Sequence, residues 1–199
     1  MPEPVSPHPL LGRGIEALNT SQWPYAIECF TQVLADVPDS VDARRYLRQA
    51  LRKQAAAASS NPLTAAWHVL QAWPHVIQGQ LADSRKDWTA AAAAYDQALR
   101  QAPQHSAWLY QLGQALLKQG QEAAALDALE EATELNPRLL AATRQLADIY
   151  LKRGDDQRAR TCFERILKVV PHDIQAERGL KNLDAMGTIR KGFGDQPRT

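Results

Sequence analysis

The chain has 199 residues, 45% of them apolar, and carries 23 Lys and Arg against 22 Asp and Glu for a net charge of +1. That length holds one ordinary domain or a short repeat array, and the apolar share is enough to bury a core. Near-zero charge excludes a general electrostatic drive towards nucleic acid or an anionic membrane, and no run approaches the roughly 20 apolar residues of a membrane span.

Heavy alanine use favours closely packed helices over strands. Residues 1–6 are proline-rich and lack a charged-then-apolar leader pattern. They are expected to form a disordered lead-in, and the protein is expected to be cytoplasmic. Over 7–40 the sequence places Leu10, Gly14, Ala17, Trp23, Ala26, Phe30, Val33 and Pro38 as small and large residues of a helix pair, with Pro24 in the first turn of the second helix. Residues 41–71 read as a degenerate pair. Its first helix carries Val41, Tyr46, Leu47 and Leu51. Beyond it Leu63, Trp67, Leu70, Ile77 and Leu81 keep a helical stripe past Pro74, as either two helices divided there or one kinked helix. Over 72–105 the spaced residues are Gly79, Ala82, Trp88, Ala91, Tyr95, Ala98 and Pro103.

The next two units are close copies of each other. "LGQALLKQGQEAAALDALEEATELNP" begins at Leu112, and "LADIYLKRGDDQRARTCFERILKVVP" begins 34 residues later, at Leu146. Gly120 and Gly154 each end a first helix. Ala125, Leu129 and Ala132, then Ala159, Phe163 and Ile166, form the stripe of a second helix, closed by Pro137 and Pro171. Each amphipathic pair leaves a flank that only the next pair covers, which is why the period exists. Residues 174–186 then read as a capping helix with Ile174, Leu180 and Leu183 inward. Gly187 is expected to end it, leaving 187–199 as a flexible, basic, glycine-containing tail.

This spacing resembles the tetratricopeptide repeat, W-x2-L-G-x2-Y…A-x3-F…P at a period of 34. Residues 140–173 carry "LADIY", Ala159, Phe163 and Pro171. Residues 106–139 carry "LGQAL", Ala125 and Pro137, with Leu129 in the aromatic place. Arg13 and Gln78 stand where the family prefers leucine. The resemblance implies an all-α solenoid, a right-handed superhelix of about five helix pairs over 7–40, 41–71, 72–105, 106–139 and 140–173, with the C-terminal cap.

It also implies a non-catalytic protein-binding scaffold or adaptor that takes a partner peptide or helix in a concave groove lined by the first helices. Carried over position by position, the groove residues are Arg45, Tyr46, Gln49, Lys53, Tyr110, Gln111, Gln114, Lys118, Arg144, Gln145, Asp148, Lys152, Arg178 and Asn182. Amides can satisfy a peptide backbone, and tyrosines give rigid contact area. The lysine/asparagine/arginine set with which one subgroup clamps chaperone tails does not assemble, because the asparagine places hold Tyr46, Ile77, Gln111 or Gln145.

No catalytic set is legible: the five histidines are scattered without ligand spacing, and no phosphate loop is present. Cys29 and Cys162 form neither a disulfide framework nor a zinc motif. No cofactor, metal or enzymatic activity is expected. Two further surfaces stand out. Arg44, Arg45, Arg48, Arg52 and Lys53 share the helix over 42–53 with only Asp42 opposing them. That cluster, with the basic tail, offers nucleic-acid association as an alternative. No aromatic stacking set accompanies it, which favours a convex solvated face over a docking surface. In the tail, Ile189, Arg190, Lys191 and Phe193 form a candidate short docking motif.

Overall fold

The computed structural model describes residues 8–37, 40–58 and 62–194, with side chains over 8–37, 40–57 and 66–186. The expected lead-in 1–6, the tail beyond 194 and the side chains of Ile189, Arg190, Lys191 and Phe193 lie outside the described residues. Among the described residues every regular element is a helix: α1 (Pro9–Asn19), α2 (Trp23–Asp36), α3 (Val41–Ala58), α4 (Pro62–Ser84), α5 (Trp88–Gln101), α6 (Ser106–Lys118), α7 (Glu122–Leu135), α8 (Leu140–Arg153), α9 (Asp156–Val169) and α10 (Ile174–Gly194). Two compact units are present, Met1–Ala128 and Leu129–Thr199.

One turn is used four times. Ser21, Lys86, Gly120 and Gly154 occupy the same place in the repeats that begin at 7, 72, 106 and 140, and all have positive φ, from 62° to 80°. The next backbone N–H then reaches back five residues: Gln22 to Ala17, Asp87 to Ala82, Gln121 to Leu116 and Asp155 to Tyr150, each at 2.9 Å. This closes the helix end by satisfying a carbonyl that has lost its helical donor. Asp87 and Asp155 go on to cap the following helix, accepting from the N–H of Ala90 and Arg158.

Small-against-large packing holds each pair together. A Cβ added to Gly14 would lie 2.6 Å from the Phe30 ring, and one added to Gly79 would lie 2.8 Å from the Tyr95 ring. Glycine lets the two helices approach until the ring lies on bare backbone. In the first unit α1–α2, α2–α3, α4–α5 and α5–α6 pack as neighbours. The first core gathers Ala17, Leu18, Ala26, Phe30, Leu47 and Ala50. In the second unit α8–α9 and α9–α10 pack. There Leu146, Ala147, Ala159, Phe163, Ile166 and Leu183 are buried, and Gly179 receives the Phe163 ring.

Three sequence expectations are corrected. First, the apolar stripe along 67–81 is not the buried one. Helix α4 continues through Pro74 and buries Ala72, Val76 and Gly79 instead, while Trp67, Leu70, Trp73, Ile77 and Leu81 are about half exposed or more. Among the described residues the degenerate 41–71 unit therefore shares α4 with the repeat that follows and has no separate second helix to cover that side. Proline in a helix interior removes a ladder hydrogen bond, at a cost of about 3 kcal/mol. Second, α10 does not stop at Gly187 but continues to Gly194. Third, Ile174 points outward at 64% exposure, because Ala176, Gly179 and Leu183 form the inward line of α10.

Candidate functional site

In the first unit two cations of the arginine-rich helix, Arg44 and Arg48, are held inside the fold. Arg44 Nε lies 3.4 Å from Asp96 of α5, and its Nη1 donates to Gln121 at 3.3 Å. Arg48 is 4% exposed and forms a short pair with Asp127 of α7, whose other oxygen is 3.3 Å from Arg45 Nε. Burial pushes the Asp96 carboxyl above the usual range, and Arg44, Arg48 and Arg100 pull it back. The opposing carboxylates that the sequence lacked on α3 thus come from α5 and α7. Arg44 and Arg48 serve folding, while Arg45 and Lys53 are exposed, so only part of the row is an open basic surface. The sequence signal was faint: Asp96 is the lone acid in alanine-rich α5.

Tyr46 is also structural. Its ring stacks on Phe30 at 5.7 Å and packs against the first core, which removes it from any free lining. Lys53 extends over the Trp23 ring at 5.2 Å, and Gln49 is half-buried. On α6, Gln114 Nε2 donates to the Tyr110 hydroxyl at 2.6 Å, and Gln111 is half-buried beside them. Lys118 pairs with Asp83 at 2.9 Å and covers the Trp88 ring at 4.1 Å. His105, which precedes α6, is half-buried and stacked on Trp108 at 3.9 Å, and burial lowers its pKa.

In the second unit, α8 presents Arg144, Gln145 and Asp148. Arg144 Nη2 donates to Asp173 at 2.6 Å, and Asp173 in turn caps α10 by accepting from the N–H of Ala176 at 2.9 Å. Those two donors, the backbone N–H first, hold the Asp173 carboxyl below the usual range. Arg144 Nε and Gln145 Oε1 are buried atoms without a hydrogen-bond partner. Asp148 and Lys152 of α8 and Arg178 and Asn182 of α10 are exposed.

A separate pocket of about 280 Å³ is lined by Glu130, Glu134, Tyr150, Arg158, Cys162 and Arg165. The Tyr150 hydroxyl donates to Glu130 in a short hydrogen bond, and the Arg158 guanidinium lies 5.5 Å over its ring. Burial first, then Glu130, pushes Tyr150 up to about 12, and burial pushes Cys162 up to about 11. Both groups keep their protons near neutral pH, so Cys162 is a filler thiol and not an activated nucleophile.

Paired antiparallel helices, one repeated turn and polar first-helix faces define a helix-pair repeat protein. The tetratricopeptide repeat models match residues 78–139 and 116–183. The chain belongs to the tetratricopeptide repeat family. No curated protein matches it. Among solved structures it is similar to the Sgt2 tetratricopeptide repeat domain of Aspergillus fumigatus (22% identity, 65% of this chain and 87% of that one, TM-score 0.53). It is similar also to that of Arabidopsis OM64 (16% identity, 60% and 98%, TM-score 0.53). A third similar structure is PilF of Pseudomonas aeruginosa (18% identity, 92% and 84%, TM-score 0.51). At these identities the likeness carries the fold. Fold and family together support a protein-interaction scaffold in general.

Proposed function

We propose that the chain is a non-catalytic adaptor that holds an extended peptide or a helix of another protein on the first-helix faces of its repeats. In the second unit that face is built by Arg144, Gln145, Asp148, Arg178 and Asn182. In the first it is built by Tyr110, Gln111 and Gln114. The observation that carries this reading is the polar face of α8, where half-buried Arg144 and Gln145 stand near exposed Asp148. Guanidinium and amide groups of this kind can pair with the backbone of a bound peptide. Asp148 and Arg178, exposed and of opposite sign, favour a polypeptide of mixed charge over a uniform polyanion.

A photo-crosslinking residue at Asp148, introduced in cells that make the protein natively, tests this. Polypeptide adducts are expected there, lost on Gln145→Ala, and absent from the same residue placed at exposed Gln157 on α9. No adduct at position 148, or equal adducts at both positions, would overturn the reading.

A further inference from the structure

Helix α4 is apolar on two opposite sides. One side, Ala72, Val76 and Gly79, packs on α5. At 3.6 residues per turn, positions 67, 70, 74, 77 and 81 fall roughly 180° away. They hold Trp67, Leu70, Pro74, Ile77 and Leu81, with Trp73 flanking, and every one is exposed. A soluble helix normally turns a polar face to water. This one has no Asp, Glu, Lys or Arg between Pro62 and Ala82.

The spacing of the exposed side identifies what covers it. Its steps are three, four, three and four, the alternation of a two-helix seam. The seam is also self-complementary. Laid antiparallel on itself so that the paired numbers sum to 144, it sets Trp67 opposite Ile77 and Leu70 opposite Pro74, and it sets Leu81 opposite position 63. A two-fold contact requires this reciprocity: residue i meets j, and j meets i. An uncharged, reciprocal seam fits its own copy and offers nothing to select a charged partner.

We propose that α4 is a homodimer interface, on which a second copy lays its α4 antiparallel. The 62–73 half of each copy covers the 74–84 half of the other and takes the place of the second helix that the degenerate 41–71 unit lacks. Two tryptophans, two leucines and an isoleucine, each about half exposed, offer on the order of 1,000 Å² for the pair, which reaches the threshold of a specific interface.

The full chain at tens of micromolar tests this by sedimentation and by cross-linking. The unaltered protein is expected to sediment as a dimer. Leu70→Glu with Ile77→Glu should give a monomer whose helical circular dichroism is unchanged. Trp67→Cys with Ile77→Cys should oxidise to a covalent dimer, while the native thiols Cys29 and Cys162 are buried and stay out of the reaction. A monomer carrying that bond within one chain would mean that α4 folds back at Pro74, and would overturn the proposal. So would a monomer that instead floats with phosphatidylcholine vesicles, or one that does neither.

Discussion

Four turns with one geometry carry three residue types, and only glycine suits it. Glycine adopts positive φ freely, whereas a side chain there costs roughly 1–2 kcal/mol. Ser21 and Lys86 both sit at φ 62°. Lys86→Gly and Ser21→Gly should therefore each raise stability by about 1 kcal/mol, read from the urea midpoint. The opposite sign is expected where bare backbone meets a ring. Gly79→Ala drives a Cβ to 2.8 Å from Tyr95, and overpacking of this kind costs about 1–3 kcal/mol. Gly12→Ala meets nothing within 4 Å in the exposed part of α1 and should gain about 0.5–1 kcal/mol. Equal effects at Gly12 and Gly79 would refute the close-approach argument.

At the scale of the element, α3 is the instructive case. Its row of cations reads from sequence as a surface feature, yet Arg48 is buried against Asp127. Removing one partner strands a charge in low dielectric, so Asp127→Ala should cost about 3–5 kcal/mol. Replacing both, Arg48→Met with Asp127→Leu, should recover most of that loss, because buried pairs repay little beyond their own desolvation. Equilibrium urea denaturation of the three variants decides between this and a merely exposed pair, whose removal would cost under about 1 kcal/mol. Helix α4 errs the other way: its apolar residues predict burial, and none of the described residues of its own unit covers them fully.

At the scale of the whole molecule, two carboxylates pull in opposite directions on acidification. Asp173 has a lowered pKa, so its contribution is present above the ordinary aspartate range and is lost as pH falls through the depressed value. Asp96 has a raised pKa, so its contribution is greatest in acid and is lost as pH rises through the elevated value. Asp173→Asn should flatten the acid limb of the stability–pH profile, and Asp96→Asn should flatten the limb above it. The two changes are separable because the residues belong to different compact units. Hydrogen exchange over α8 and α10 against exchange over α3 and α5 reads them independently. An acid limb left intact in Asp173→Asn would show that the Arg144–Asp173 contact does not hold α10.

The amino-acid sequence by itself determined the repeat: its period, the closing turns at Gly120 and Gly154, the glycine-on-aromatic notches and the all-helical class. These follow from local rules, in which a small residue, a ring or a left-handed turn is specified within one helix pair. Of the polar residues picked from α8, Asp148 and Lys152 are exposed, while Arg144 and Gln145 are half-buried, a difference that 3.6-residue periodicity alone does not fix. Tertiary structure decided what depends on residues distant in sequence. Asp96 and Asp127 take up the arginines of α3, Tyr46 joins the core through Phe30, and α4 stays one helix with its second apolar side uncovered. Periodicity tells a helix which face must be buried; only the packed fold tells it what arrives to do the burying.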